Sequence, residues 1–303
     1  MIVGNQQGTD VLKRYIDNFL ESENKSVPFF IISGPQNIGK STIILELVKQ
    51  YLGQFFVQDF LYIRDLSDKL GKHSIKVATP KDNDKRFVQI DDNNVYEDIG
   101  VREINSWFQQ SSIGKTKMIF IENIERMTNE AANAFLKTCE EPLPGRIIIA
   151  STSNQSQLLD TIRSRSISLR FQELSYEEVL EFVQQNGYFS DDEKLKKFVC
   201  NMAMGRPGVV VKLHEIFEKN NDLKSDFKNL VDILSNDGPI FHSHKILNSI
   251  SADGYLDQFL DGWISYCVEN NMIEQSDSWM KVKKMMKSNV NIENLLLYGL
   301  LNK

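Results

Sequence analysis

Apolar positions along this chain keep two different rhythms, and the change between them divides it. Val11, Leu12, Tyr15, Ile16 and Phe19 fall at helical spacing between Asp10 and Leu20. Pro28–Ser33 is then a short unbroken apolar run, the pattern of a strand buried on both faces. After a Gly-rich turn, Ile44, Leu45, Leu47, Val48 and Leu52 predict a helix over Ser41–Leu52. Asp59–Ile63 reads as a strand. Residues 65–94 are polar and charged without a clear period, which predicts an insertion or a flexible loop. Ile99–Gln110 is helical, with Val101, Ile104, Trp107 and Phe108 on one face. A strand at Lys117–Ile121, a helix at Asn129–Glu140, a strand at Arg146–Ala150 and a short strand at Ile167–Phe171 follow.

Strands alternating with helices up to Phe171 predict an α/β domain with a parallel sheet, over residues 1–171. From Ser175 the pattern is almost wholly helical. Ser175-Tyr-Glu-Glu178 has the spacing of a capping box that opens the first of these helices. The polar run Glu218-Lys-Asn-Asn-Asp222 divides the helical part into 172–217 and 218–303. No internal repeat is found.

Composition narrows the class. A length of 303 residues suits two or three domains, and 41% hydrophobic with 25% charged residues is ordinary for a globular protein. The net charge of -6 argues against a chain that coats a duplex through an overall basic surface, so any DNA contact is local. Lys115 and Lys117, just before a strand, read as a solvated edge. Cys139, Cys200 and Cys267 are far apart and odd in number, which predicts thiols in a reducing compartment. The start, Met1-Ile-Val-Gly-Asn, lacks the marks of a signal peptide, and no window of 18 apolar residues occurs, so the cytoplasm is the expected location.

Gly34-Pro-Gln-Asn-Ile-Gly39-Lys40-Ser41 matches G-x-x-x-x-G-K-[ST] at every fixed position, between a predicted strand and a predicted helix. Such a loop curls its N–H groups inward, and the helix that follows adds the positive end of its dipole. Gly34, Asn37, Gly39, Lys40, Ser41 and Thr42 are therefore candidate contacts for the phosphates of ATP or ADP, with the Ser41 hydroxyl a candidate ligand of Mg²⁺. A hydrolase of this type also needs a carboxylate on a neighbouring strand. In Met118-Ile-Phe-Ile-Glu122-Asn123, Glu122 stands at the metal position. Asn123 stands where a catalytic acid is expected, and an amide accepts no proton at neutral pH. ATP binding is thus better supported than turnover. Glu125 reads as an acid near a helix N-terminus.

Several segments in order resemble the clamp-loader group of AAA+ proteins, nearest the delta-prime type of bacterial DNA polymerase III. They are Asp59–Ile63, Ile99–Ile104, Ile121–Met127, Asn129–Pro142 with its Glu-Glu-Pro end, and Thr161-Ile-Arg-Ser-Arg-Ser166. The resemblance is good over residues 1–210. It implies an AAA+ sheet domain, a small helical lid over 172–217 and an all-α collar over 218–303. The implied setting is a pentameric ring with gamma/tau-type and delta-type subunits, which opens a sliding clamp and closes it at primed DNA. By position Arg165 is the arginine that reaches the γ-phosphate of a neighbouring subunit, a sensible place for a cation because charge develops there. Thr152 falls where the family keeps a polar sensor, although Ser151 or Asn154 suits equally. Gly205-Arg206-Pro207-Gly208 resembles a second sensor, with Arg206 equally readable as a helix-boundary residue. Val3 and Gly4 resemble the segment lining the adenine pocket.

The departures also inform. Leu52–Asp98 holds none of the four cysteines that many relatives use for zinc, so no zinc is expected. Ser166 replaces the usual cysteine, Glu122 the usual aspartate, and Asn123 the glutamate of motor subunits, as is typical of the delta-prime type. A gamma/tau-type motor ATPase and a different AAA+ ATPase of DNA metabolism are the alternatives.

Overall fold

The computed structural model describes residues 4–21, 28–64, 75–77, 87–90, 93–96, 100–140, 144–235, 240–252, 256–286 and 291–301. They divide into two compact units, Gly4–Gln172 and Glu173–Lys303.

In the first unit the strands are β1 (Phe29–Ser33), β2 (Phe60–Ile63), β3 (Phe87–Ile90), β4 (Asn93–Tyr96), β5 (Lys117–Ile121), β6 (Arg146–Thr152) and β7 (Ile167–Arg170). They form one sheet in the order β3-β4-β2-β5-β6-β1-β7. All pairings from β4 to β7 are parallel, and only β3 runs antiparallel, against β4.

Uninterrupted apolar strands are explained by burial on both faces. Phe30, Ile32, Tyr62, Phe120 and Ile149 share one core with Leu12 and Ile16 of the helix Gln6–Glu21 and with Ile44, Leu47 and Val48 of the helix Lys40–Leu52. Their alternates Phe29, Ile31, Leu61, Ile119, Ile121 and Ile148 pack on the other face. There they meet Val101, Ile104 and Phe108 of the helix Val101–Gln109 and Phe135 of the helix Asn129–Glu140. The result is a three-layered α/β domain, as expected.

Of the two readings of residues 65–94, the flexible loop needs correction where strands are described. Strands β3 and β4 pair antiparallel within and beyond that segment, and Ile75 makes an isolated parallel bridge to Met127. Most of residues 65–94, and with them nearly half of the stretch Leu52–Asp98 on which the zinc expectation rested, lie outside the described residues. So does Glu141–Leu143, which carries most of the Glu-Glu-Pro end.

In the second unit, Ser175 and Glu178 form the expected capping box. Ser175 Oγ accepts from Glu178 N at 3.2 Å, and Ser175 N donates to Glu178 Oε2 at 2.8 Å. The helix Glu193–Ala203 is buried on nearly all sides and holds the centre of this unit. Phe198 packs against Phe259 and Trp263 of the helix Leu256–Glu269, with centroids at 5.3 and 6.4 Å. The polar run Glu218–Asp222 spans the junction of the helices Pro207–Lys219 and Asn221–Ser235, with Asn220 alone between them and its Oδ1 accepting from Leu223 N at 3.0 Å. The core continues across it, Phe217 meeting Phe227 at 5.1 Å. No described helix is long and apolar enough to cross a membrane.

Candidate functional site

The turn after β1 is fixed at both ends. Gly34 N donates to Thr152 O at 3.2 Å, and a Cβ at Gly34 would lie 2.5 Å from Phe171 O. The turn then passes through left-handed backbone at Asn37 (φ 64°) and Gly39 (φ 89°). The helix starting at Lys40 receives no side-chain hydrogen bond at its cap, Gly39, so its first-turn N–H groups face the loop. A Cβ on Gly39 would meet nothing within 4 Å, which leaves open space beside those donors. Lys40 is 7% exposed, and its Nζ donates to Gly34 O and Pro35 O at 2.7 Å each. Burial lowers its pKa below the ordinary lysine value, while Glu125 and then Glu122 act in the opposite direction. Ser41 is half-buried and Thr42 exposed on the same first turn.

Glu122 follows β5 at the same sheet edge. Its Oε1 accepts from the Tyr62 hydroxyl at 2.6 Å, and the Tyr62 ring stacks on Phe120 with centroids 5.2 Å apart. Burial and the facing carboxylate hold the Tyr62 pKa well above the usual phenol value, so the hydroxyl remains the donor. Arg126 ties this corner together. Its guanidinium donates to Glu122 O, Asn123 O and Arg64 O, linking the turn to the end of β2. Asn123 takes left-handed backbone (φ 47°), and its N–H donates to Ser151 Oγ at 3.2 Å. Tyr62 and Arg126 were missed by the sequence reading. Tyr62 left a trace, as the only polar-tipped side chain in the apolar run of β2.

Glu125 stands in the first turn of the short helix Ile124–Arg126, as expected of an acid near a helix N-terminus. Its carboxylate has a further partner: Oε1 accepts from Ser153 N and Ser153 Oγ, both at 3.0 Å. Thr152 ends β6, fully buried and in register with Ser33, and its Oγ1 accepts from Asn154 N at 3.1 Å. Ser151 is buried too, whereas Asn154 is exposed and caps the turn Gln155–Gln157. Thr152 and Ser151 thus adjoin the phosphate loop more closely than Asn154 does.

The structure therefore gathers Gly34, Asn37, Gly39, Lys40, Ser41, Glu122 and Thr152 at the carboxyl edge of the sheet. Gly4 is buried with φ 81°, and the next residue, Asn5, exchanges hydrogen bonds with Gln172 at 2.8 and 3.0 Å. This segment adjoins the end of β7, while Val3 lies outside the described residues. Arg165 is placed elsewhere. It is exposed, two residues before β7, and its Nη1 donates to Thr161 O at 3.1 Å. Phe30 pairs with Ile167 and Ser33 with Arg170, so Arg165 lies at the edge where the strands begin. At least three strand steps, about 10 Å, separate that edge from Gly34. Arg206 belongs to the second unit, where it stands just before the helix Pro207–Lys219 and its Nε donates to Ala203 O at 3.2 Å.

The Lys117 reading needs correction as well. Lys115 is exposed, but Lys117 is buried. Its ammonium lies 4.2 Å from the Trp107 ring centroid and points at Gln110 O and Ser111 O. Neighbouring Arg146 donates to Phe108 O and Gln110 O. The two cations cap carbonyls at the end of the helix Val101–Gln109 instead of forming a solvated edge.

First-turn N–H groups, an open glycine, a lysine and a carboxylate steadied by a tyrosine form a donor set suited to a polyphosphate with a divalent cation.

The chain matches the sequence family described as DNA polymerase III, delta subunit, over residues 10–175, more than half its length. It is 26% identical over 195 residues to the replication factor C small subunit of Methanothermobacter thermautotrophicus, covering 64% of this chain and 50% of that one. With DNA polymerase III subunit delta′ of Haemophilus influenzae it shares 32% identity over 119 residues, 37% of this chain and 35% of the other. The chain thus spans about half the length, or less, of these curated relatives. Among solved structures, a gamma-subunit-related protein of DNA polymerase III from Thermotoga maritima superposes with a TM-score of 0.50 at 17% identity, covering 97% of each chain. A variant of Thermotoga maritima RuvB gives 0.51 at 12%, covering 97% of this chain and 82% of that one. These two likenesses speak for the fold alone. With the family match taken together with the sheet and the loop, the chain belongs to the DNA polymerase III delta-subunit family of AAA+ clamp-loader proteins.

Proposed function

We propose that this chain is a delta-prime-type ring subunit that binds a nucleotide but turns it over weakly or not at all, and that it supplies Arg165 to the triphosphate held by a neighbouring subunit. The observation that carries this reading is the position of Arg165. An exposed guanidinium at the strand-start edge lies too far from the chain's own phosphate loop to serve it. Asn123 supports the other half, because its amide cannot take a proton from water.

In this reading ATP or ADP sits on the loop. The N–H groups of Gly39 to Thr42 and the Lys40 ammonium hold its phosphates, with Asn37 and Gly34 shaping the turn. Ser41 and Glu122 hold Mg²⁺, which when bound offsets the charge of the triphosphate. Gly4, with Val3, lines the base pocket, and Thr152 and Arg206 sense the γ-phosphate. Residues 172–217 act as a lid and 218–303 as a collar. Partners are gamma/tau-type and delta-type subunits in a pentameric ring, the sliding clamp, and primed DNA reached through the assembly by phosphate contacts. The setting is the cytoplasm.

Calorimetric titration of the isolated chain with ATP and Mg²⁺ tests the binding half. Binding is expected, with loss of at least about tenfold in affinity for Lys40→Ala. Wild-type chain without measurable affinity contradicts it, and so does rapid hydrolysis by the isolated chain.

A further inference from the structure

The proposed function leaves one acid at the site without a role. Glu125 stands on the turn just after Glu122 and Asn123. Oε1 of its carboxylate is held by two donors of Ser153, the N–H and the hydroxyl. Oε2 is buried and has no hydrogen-bond partner among the described residues. A carboxylate oxygen kept from water with no donor costs free energy unless a cation is near. Ser153 follows Thr152, whose carbonyl takes the Gly34 N–H, so the anchor fixes Glu125 against the start of the phosphate loop. Among the acids acting on Lys40, Glu125 has the largest effect and Glu122 the second.

We propose that Glu125 is a positioning residue of the nucleotide site: anchored through Ser153, it offers Oε2 to the hydrated cation that accompanies the phosphates, the second acidic contact that Asn123 does not provide. This inference rests on the nucleotide-binding reading above. It also has a sign that a merely structural role lacks. A carboxylate facing the phosphates attracts them through the cation when Mg²⁺ is present and repels them when it is absent.

The test is ATP affinity of the full chain and of Glu125→Gln, by titration calorimetry in Mg²⁺ and again in EDTA. The glutamine variant is expected to lose about tenfold in Mg²⁺ and to gain about two- to fivefold in EDTA. Equal losses under both conditions, or no change under either, overturn the proposal. Should Glu125→Gln fail to fold, Ser153→Ala keeps the carboxylate and loosens only its anchor. A two- to threefold loss confined to Mg²⁺ is then expected, on the order of one weakened hydrogen bond, and an unselective loss overturns it. A wild-type chain that binds ATP under neither condition removes the nucleotide reading itself, a result distinct from an unselective variant.

Discussion

Tyr62 shows how a strand residue with an apolar ring and a polar tip serves the core and the site together. Its ring is one layer of a stack running Phe60, Tyr62, Phe120, while its hydroxyl reaches past the sheet edge to Glu122. Tyr62→Phe keeps the stack and removes the donor. A loss of about 1 kcal/mol at neutral pH is expected by chemical denaturation, discounted because Glu122 is half-exposed. The folded protein holds the Tyr62 proton to a higher pH than the unfolded chain does. That contribution is therefore fully present below the ordinary value of 10.0 and is lost as pH rises above it. The advantage of wild type over the variant should shrink as pH rises above 10, and an advantage that grows there contradicts the assignment.

At the scale of elements, the two glycines of the phosphate loop do different work. A Cβ at Gly34 would lie 2.5 Å from Phe171 O and 2.7 Å from Ile38 Cδ1, and the backbone oxygen cannot turn aside. Gly34→Ala should cost about 3 kcal/mol of stability, the upper range of overpacking. At Gly39 nothing stands within 4 Å, so Gly39→Ala should cost only about 1 kcal/mol for its left-handed backbone. The same methyl occupies space beside the first-turn donors, so that variant should lose ATP affinity out of proportion to its stability. Denaturation and titration of both variants check the split, and matched losses in the two measurements would contradict it.

Elements also show where the sequence was legible and where it was not. The loop motif, Glu122 and the Ser175 capping box are local, set by residues within a few positions, and their spacing could be read directly. Strands β3 and β4 went unread because Gln89, Asn93 and Asn94 interrupt runs of only four residues, too short to show a period. Lys117 looked solvated because its charge outweighed everything nearby. Its carbonyl partners lie six and seven residues away and its aromatic partner on a separate helix. The Glu125–Ser153 bond spans 28 residues and joins the ends of two strands, which no local pattern reveals.

On the scale of the whole molecule, each unit has a core of its own, one built on the sheet and one around Phe198. Gly262 lets the helix Leu256–Glu269 approach the helix Glu193–Ala203 so closely that a Cβ there would overlap Met202 Cγ. Gly262→Ala should destabilise the second unit by about 3 kcal/mol. In scanning calorimetry this variant should lower one transition and leave another in place, and a single transition moved as a whole would contradict separately stabilised units.

The central claim concerns which pocket the Arg165 guanidinium completes. The direct measurement is clamp-stimulated ATP turnover by the loader reconstituted with wild-type, Arg165→Ala or Lys40→Ala chain. Arginines of this kind contribute about 10³–10⁵ in rate at a single site. With several sites in the assembly, Arg165→Ala is expected to lower total turnover at least about threefold while leaving this chain's own nucleotide occupancy unchanged. Lys40→Ala is expected to leave most of the turnover intact. Full turnover with Arg165→Ala, together with its loss in Lys40→Ala, would contradict the account.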